Sequence, residues 1–115
     1  MKSIIVVDDE RDVVDLFGDA LIASGYNVSS FTDPITALDE VQKNPEKYNL
    51  LVSDYSMKKL NGFDLAIRVK EVNNKIKVII ISAYENIDGN VFKFEMLQKP
   101  ILLQVFLAKV NSYIN

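Results

Sequence analysis

The chain has 115 residues, 49% apolar and 25% charged, with 13 basic against 16 acidic side chains and a net charge of −3. That is the size and balance of one globular domain able to close its own core, and it excludes a fibrous or disordered chain. Neither cysteine nor histidine occurs, which removes disulfides, thiol chemistry, the usual zinc and copper ligand sets and any Ser–His–Asp triad.

The first element is "SIIVV" at 3–7, an unalternated run that reads as a strand covered on both faces and is cut off by Asp8, Asp9 and Glu10. "MKSIIVV" is too short for the core of a signal peptide, and no stretch reaches the length of a membrane span, so a soluble cytoplasmic protein is expected. Glu10 to Ser24 follows the helix period, with Val13, Phe17, Ala20 and Leu21 on one face and Gly25 as the stop. "YNVSSF" at 26–31 carries polar residues at intervals, as an edge strand does. Asp33 as N-cap and Pro34 at the first helical position open a second helix to Lys43, with Ile35, Leu38 and Val41 facing inward. "NLLVS" at 49–53 is a second buried run, followed by Asp54. A helix from Phe63 to Val72 presents Leu65, Ala66, Val69 and Val72, and "KVIIIS" at 77–82 is the third buried run.

"VFKFEML" at 91–97 alternates like an edge strand, with Lys93 and Glu95 blunting the edge. The interval before it is short. Residues 83 to 98 must hold two loops, a strand and a helix, which together need roughly twenty residues. "ENIDGN" at 85–90 also opposes a helix through its Asp-Gly turn signal and two Asn. At most about two helical turns are expected in 83–91, so the fourth helix is short or missing. Ile101 to Ile114 closes the chain as a helix after Pro100. Its Leu102, Leu103, Val105, Phe106, Leu107 and Ala108 form an apolar arc wider than one core face needs. The excess suits a partner helix or self-association, or equally a more deeply buried helix.

Strand and helix alternate through five strands, so the expected fold is α/β, a single domain over 1–115. It is a flavodoxin-like, doubly wound parallel sheet in the order 2-1-3-4-5. Ligands in such a sheet bind beyond the carboxyl ends of the strands, where the strand order reverses, here between the first and third strands. Asp8 and Asp9 end the first strand and Asp54 ends the third. Taken singly, the aspartates could cap a helix or close a turn, Ser82 could be structural and Lys99 solvated. Together at strand ends on one side of one sheet, they point to a site. Three crowded carboxylates raise a pKa or reduce stability unless a cation joins them. With no nitrogen or sulfur ligands to hand, that cation would be magnesium, calcium or manganese on oxygen, an octahedral site of the kind magnesium accepts. The absence of a basic tract disfavours direct nucleic-acid binding.

This pattern resembles the receiver domain of two-component response regulators, over nearly the whole chain from Lys2 to about Tyr113. The matching residues are Asp8–Asp9, Asp54 after an apolar strand, Met57, Asn61–Gly62 closing the loop, Ser82–Ala83 after the fourth strand, and Lys99–Pro100. The resemblance implies that Asp54 is the nucleophile, taking a phosphoryl group from a phosphohistidine on a histidine kinase or phosphotransfer protein. Asp9, Asp54 and the backbone carbonyl of Ser56 would bind magnesium directly, with Asp8 acting mainly through water. Lys99 would neutralise the phosphoryl oxygens and Ser82 would hydrogen-bond one of them. Ser56 and Tyr84 would flank the water that hydrolyses the phosphoprotein, the bulk of Tyr84 slowing its loss.

Such a chain is a switch that catalyses its own phosphorylation and slow dephosphorylation, and signals to a downstream protein target within a phosphorelay. Two positions depart from the family: Lys58 stands where Pro usually follows the methionine, and Met96 where an aromatic is common, with Phe94 close by. The main rival is a pseudo-receiver that binds partners without phosphorylation, against which the retained Asp9, Asp54, Ser82 and Lys99 argue. A flavodoxin-type cofactor site would need Ser, Thr and Gly in the anionic first loop. A haloacid dehalogenase-type phosphatase would need an Asp where Ser56 stands.

Overall fold

The computed structural model describes residues 1–84 and 87–115. Its elements are β1 (Ser3–Val7), α1 (Arg11–Ala23), β2 (Asn27–Phe31), α2 (Pro34–Lys43), β3 (Leu50–Asp54), α3 (Gly62–Val72), β4 (Lys77–Ser82), β5 (Glu95–Gln98) and α4 (Leu103–Ile114). All strand pairs are parallel and the order is β2-β1-β3-β4-β5, the doubly wound arrangement expected.

The unalternated runs make the centre of this sheet. A strand sends successive side chains to opposite faces, so a strand covered on both sides must be apolar throughout. Ile5, Val7, Leu51, Val78 and Ile80 pack with Ala37, Leu38 and Val41 of α2 and Leu65, Ala66 and Val69 of α3. Ile4, Val6, Leu50, Val52, Ile79 and Ile81 pack with Val14, Phe17 and Leu21 of α1 and Phe106, Val110 and Ile114 of α4. Each fully buried branched side chain contributes about 1.5–3 kcal/mol. The helix stops and starts follow local chemistry: Gly25 takes φ +98° and donates its amide to Ile22, while Asp33 and Asn61 accept from the Ile35 and Asp64 amides.

Several details differ from the sequence reading. The buried face of α1 is Val14, Phe17, Gly18 and Leu21, whereas Val13 and Ala20 are half-buried. Gly18 lies against β2, where a Cβ would stand 3.0 Å from Ser30 Oγ, so the glycine permits a close approach on this face. In α2 the inward position falls to Ala37 and leaves Ile35 exposed. In α4, Phe106, Val110 and Ile114 alone are buried, and Leu102, Leu103 and Val105 are exposed, so the apolar excess does reach the surface.

The last strand starts at Glu95, not Val91. Asn90 competes for the backbone: its side chain accepts from the Phe94 amide and donates to the Phe94 carbonyl, and Lys93 turns to φ +52°. Lys93 therefore precedes the edge strand rather than blunting it, and Glu95 pairs with Lys109 of α4 at 2.7 Å. Among the described residues between Ser82 and Glu95 there is no helix, as the residue count implied. Glu85 and Asn86 of the "ENIDGN" stretch lie outside the described residues. Asp88–Gly89 forms the turn, with Gly89 at φ +92°. Among the described residues no helix is long and apolar enough to cross a membrane.

Candidate functional site

The carboxyl ends of β1, β3, β4 and β5 bring the predicted residues to one edge of the sheet. Asp8 follows β1 directly; its amide donates to the Phe31 carbonyl at 3.2 Å, which continues the sheet one residue past the strand and holds Asp8 buried. Its Oδ1 accepts the Glu10 amide at 3.0 Å, and Glu10, not either aspartate, occupies the N-cap position of α1. The helix-cap reading of the acidic pair therefore fails. Asp54 ends β3, as expected, and is also buried, while Asp9 is exposed.

Oxygens of Asp8, Asp9 and Asp54 lie within 4.8 Å of one another. Lys99 enters from the end of β5, its amide bonded to the Ser82 carbonyl at 2.7 Å. Its Nζ stands 2.8 Å from Asp54 Oδ1 and 4.0 Å from Asp8 Oδ2. Ser82 is buried at the end of β4, and its Oγ accepts the Tyr84 amide at 2.9 Å. Tyr84 and Ser56 are exposed, and Met96 is half-buried beside Phe94. The Lys58 amide reaches Asp9 Oδ2 at 3.4 Å, which ties the loop after Asp54 to the end of β1.

The electrostatics follow from this crowding. Burial pushes the Asp8 carboxyl up to about 6, and the charges of Asp54 and Asp9 add to it against the Glu10 amide and Lys99. Burial works against the Lys99 charge, but the hydrogen bond to Asp54 and the carboxylates around it outweigh this and raise its pKa. Three carboxylates facing one ammonium leave the cluster short of positive charge. The donors at hand are all oxygens. A hard divalent cation such as magnesium fits both the charge deficit and the donor set.

The loop between β3 and α3 holds one contact that the sequence signalled and one that it did not. Gly62 donates its amide to the Tyr55 carbonyl at 2.8 Å, and a Cβ on it would lie 2.6 Å from the Asp54 carbonyl oxygen. Lys59 takes φ +73° and pairs with Asp33 at 2.8 Å. The Asn-Gly pair signalled the first of these; nothing in the sequence signalled the second, because Lys59 and Asp33 are far apart along the chain.

Comparison with known proteins agrees with this geometry. The profile described as "Response regulator receiver domain" matches residues 4–111. The response regulator receiver protein CpdR of Brucella abortus (strain 2308) is 30% identical, over 97% of this chain and 96% of that one. The transcriptional regulatory protein PrrA of Mycobacterium tuberculosis is 28% identical over 95% of this chain, which spans only 48% of PrrA. Among solved structures, a response regulator receiver domain protein from Clostridium thermocellum superposes with a TM-score of 0.90 at 25% identity, covering 100% of this chain and 95% of that one. The receiver domain of the hybrid histidine kinase CckA gives 0.86 at 27% identity, covering 98% and 99%. The chain belongs to the response regulator receiver domain family, the class of domain used in two-component signalling.

Proposed function

We propose that this receiver is a working phosphoacceptor switch. Asp54 accepts a phosphoryl group from a phosphohistidine on a histidine kinase or phosphotransfer protein, at a site holding magnesium through Asp8, Asp9, Asp54 and the Ser56 backbone carbonyl. The observation that carries the reading is the approach of Lys99 Nζ to 2.8 Å from Asp54 Oδ1 within a cluster of three carboxylates.

An Asp54 oxygen attacks phosphorus in line; the new P–O bond forms as the P–N bond breaks, and the imidazole leaves with the electron pair and takes a proton from solvent. Magnesium, when bound, supplies charge neutralisation to the carboxylates and the phosphoryl oxygens. Lys99 adds a fixed ammonium on the other flank of Asp54. Ser82 Oγ already accepts the Tyr84 amide, which leaves its hydroxyl proton to donate to a phosphoryl oxygen. Ser56 and Tyr84 then border the path of the hydrolytic water.

In this reading residues 1–115 act as one receiver unit in the cytoplasm, where ATP-driven kinases supply the phosphohistidine, and the output is a contact with a downstream protein. The exposed Leu102, Leu103 and Val105 offer a surface for that contact or for self-association.

Beryllofluoride, which mimics an aspartyl phosphate, tests the site. With magnesium it should raise the melting temperature of the wild-type chain, and a chelator or Asp54→Asn should abolish the rise. Stabilisation that survives in Asp54→Asn would locate another anion site. No stabilisation of the wild type would favour the pseudo-receiver.

A further inference from the structure

We propose that Lys59 is a positioning residue: its ion pair with Asp33 clasps the loop over residues 55–61, setting the Lys58 amide against Asp9 and fixing Ser56 between that contact and Asp54. The inference rests on the metal site proposed above. Four observations carry it. Lys59 sits at φ +73°, a left-handed conformation uncommon for a lysine and costly unless surrounding contacts offset it. Its Nζ lies 2.8 Å from Asp33 Oδ2, while Asp33 Oδ1 accepts the Ile35 amide at 2.9 Å, so the anchoring carboxylate is itself fixed to the start of α2.

The third observation is a cleft of about 260 Å³ lined by Asp9, Thr32, Asp33, Pro34, Lys58 and Lys59. It leaves the loop without close packing on this side, and the ion pair spans it. The fourth is the reach of the Lys58 amide to Asp9, at 3.4 Å already near the limit of a hydrogen bond, so a small outward shift of the loop breaks it. Within the loop, the Leu60 amide bonds to the Lys58 carbonyl at 2.9 Å and the Gly62 amide to Tyr55 at 2.8 Å. The clasp at Lys59 is therefore passed to Lys58 and Ser56 through a short, bonded stretch.

The test is magnesium affinity, followed by amide chemical shifts of the full chain in titrations with magnesium chloride, alongside hydrogen exchange at Leu60 without metal. Asp33→Ser keeps an oxygen for the helix cap and removes the charge; Lys59→Met removes the ammonium and keeps the bulk. Each should weaken magnesium binding by about threefold at low salt, the scale of a partly exposed pair, and speed exchange at Leu60. Lys59→Arg should restore both values. Asp33→Ser combined with Lys59→Met should cost no more than either alone, since both remove one interaction. Added salt should shrink the difference between wild type and variants. Unchanged affinity in the single variants, or additive losses in the double variant, would overturn the clasp. A wild type whose shifts ignore magnesium would instead overturn the metal site itself, a result distinguishable from the first.

Discussion

Asp8 bears the electrostatic penalty of the site. Its carboxyl is buried beside two others, and its pKa rises from an ordinary 3.8 to about 6. A folded-state carboxyl with a raised pKa binds its proton more tightly than the unfolded chain does between those two values. Its contribution to stability therefore falls as pH rises through that window, and the full penalty stands at pH 7. Asp33 and Glu40 act in the opposite sense and at lower pH. The Lys59 ammonium holds Asp33 below its usual range and the Tyr48 hydroxyl does the same for Glu40, so both lose stabilising value on acidification below about pH 4.5. Asp8→Asn should accordingly raise the stability of the metal-free chain at pH 7, by on the order of 1 kcal/mol once solvent screening is allowed for, and by much less at pH 4.5. Denaturant unfolding of chelator-treated protein at the two pH values checks this; destabilisation at pH 7 would contradict it. The proposed role of Tyr84 belongs to the other end of the cycle. Tyr84 is exposed, and its amide donates to Ser82 Oγ; if, as proposed, its ring borders the path of water to Asp54, Tyr84→Ala should lose its phosphoryl group severalfold faster than wild type. Equal or slower loss, followed by intact mass over time, would exclude that role.

The elements hold these residues through contacts that leave little room. Gly62 opens α3 directly beneath the backbone of Asp54, and an added methyl would meet the Asp54 carbonyl at 2.6 Å and the Tyr55 Cα at 3.0 Å. Both obstacles are backbone, so relief requires moving the end of β3 that carries Asp54. Gly62→Ala should destabilise the fold by about 1–3 kcal/mol, the range of an overpacked core, and slow phosphorylation more than a stability loss alone explains. Thermal melts paired with phosphorylation rates measure both; a variant as stable and as fast as wild type would show that the contact yields easily. At this scale the sequence was informative where one force dominated. The unalternated runs at 3–7, 49–53 and 77–82 read as strands buried on both faces, and they are the three central strands. It misled where two forces competed. Alternation of Phe92, Phe94 and Met96 suggested a strand from Val91, but the side chain of Asn90 captures the Phe94 backbone and delays pairing to Glu95. The face of α1 keeps the helical period at Val14, Phe17, Gly18 and Leu21, but a glycine carries no apolar signal in the sequence, and its approach to β2 is a tertiary fact.

Across the molecule, winding order does the assembling. β1 and β3 are neighbours in the sheet but far apart in sequence, and the reversal of strand order between them leaves Asp8, Asp9 and Asp54 together with β4 and β5 delivering Ser82 and Lys99. That placement was legible because the topology of a doubly wound sheet dictates it. The Lys59–Asp33 pair was not, since two surface loops meeting across a cleft leave no periodic trace. Apolar burial supports the whole: one fully buried isoleucine of the central strands contributes more than the screened penalty at Asp8, so the fold can carry an anionic cluster at its edge. The proposed switch depends on Asp54 being the acceptor of a magnesium-dependent phosphoryl transfer. Intact mass after incubation with acetyl phosphate and magnesium tests it most directly. One added phosphoryl group is predicted for the wild type and none with a chelator or in Asp54→Asn; an adduct that persists in Asp54→Asn, or a wild type that never gains one, would contradict it.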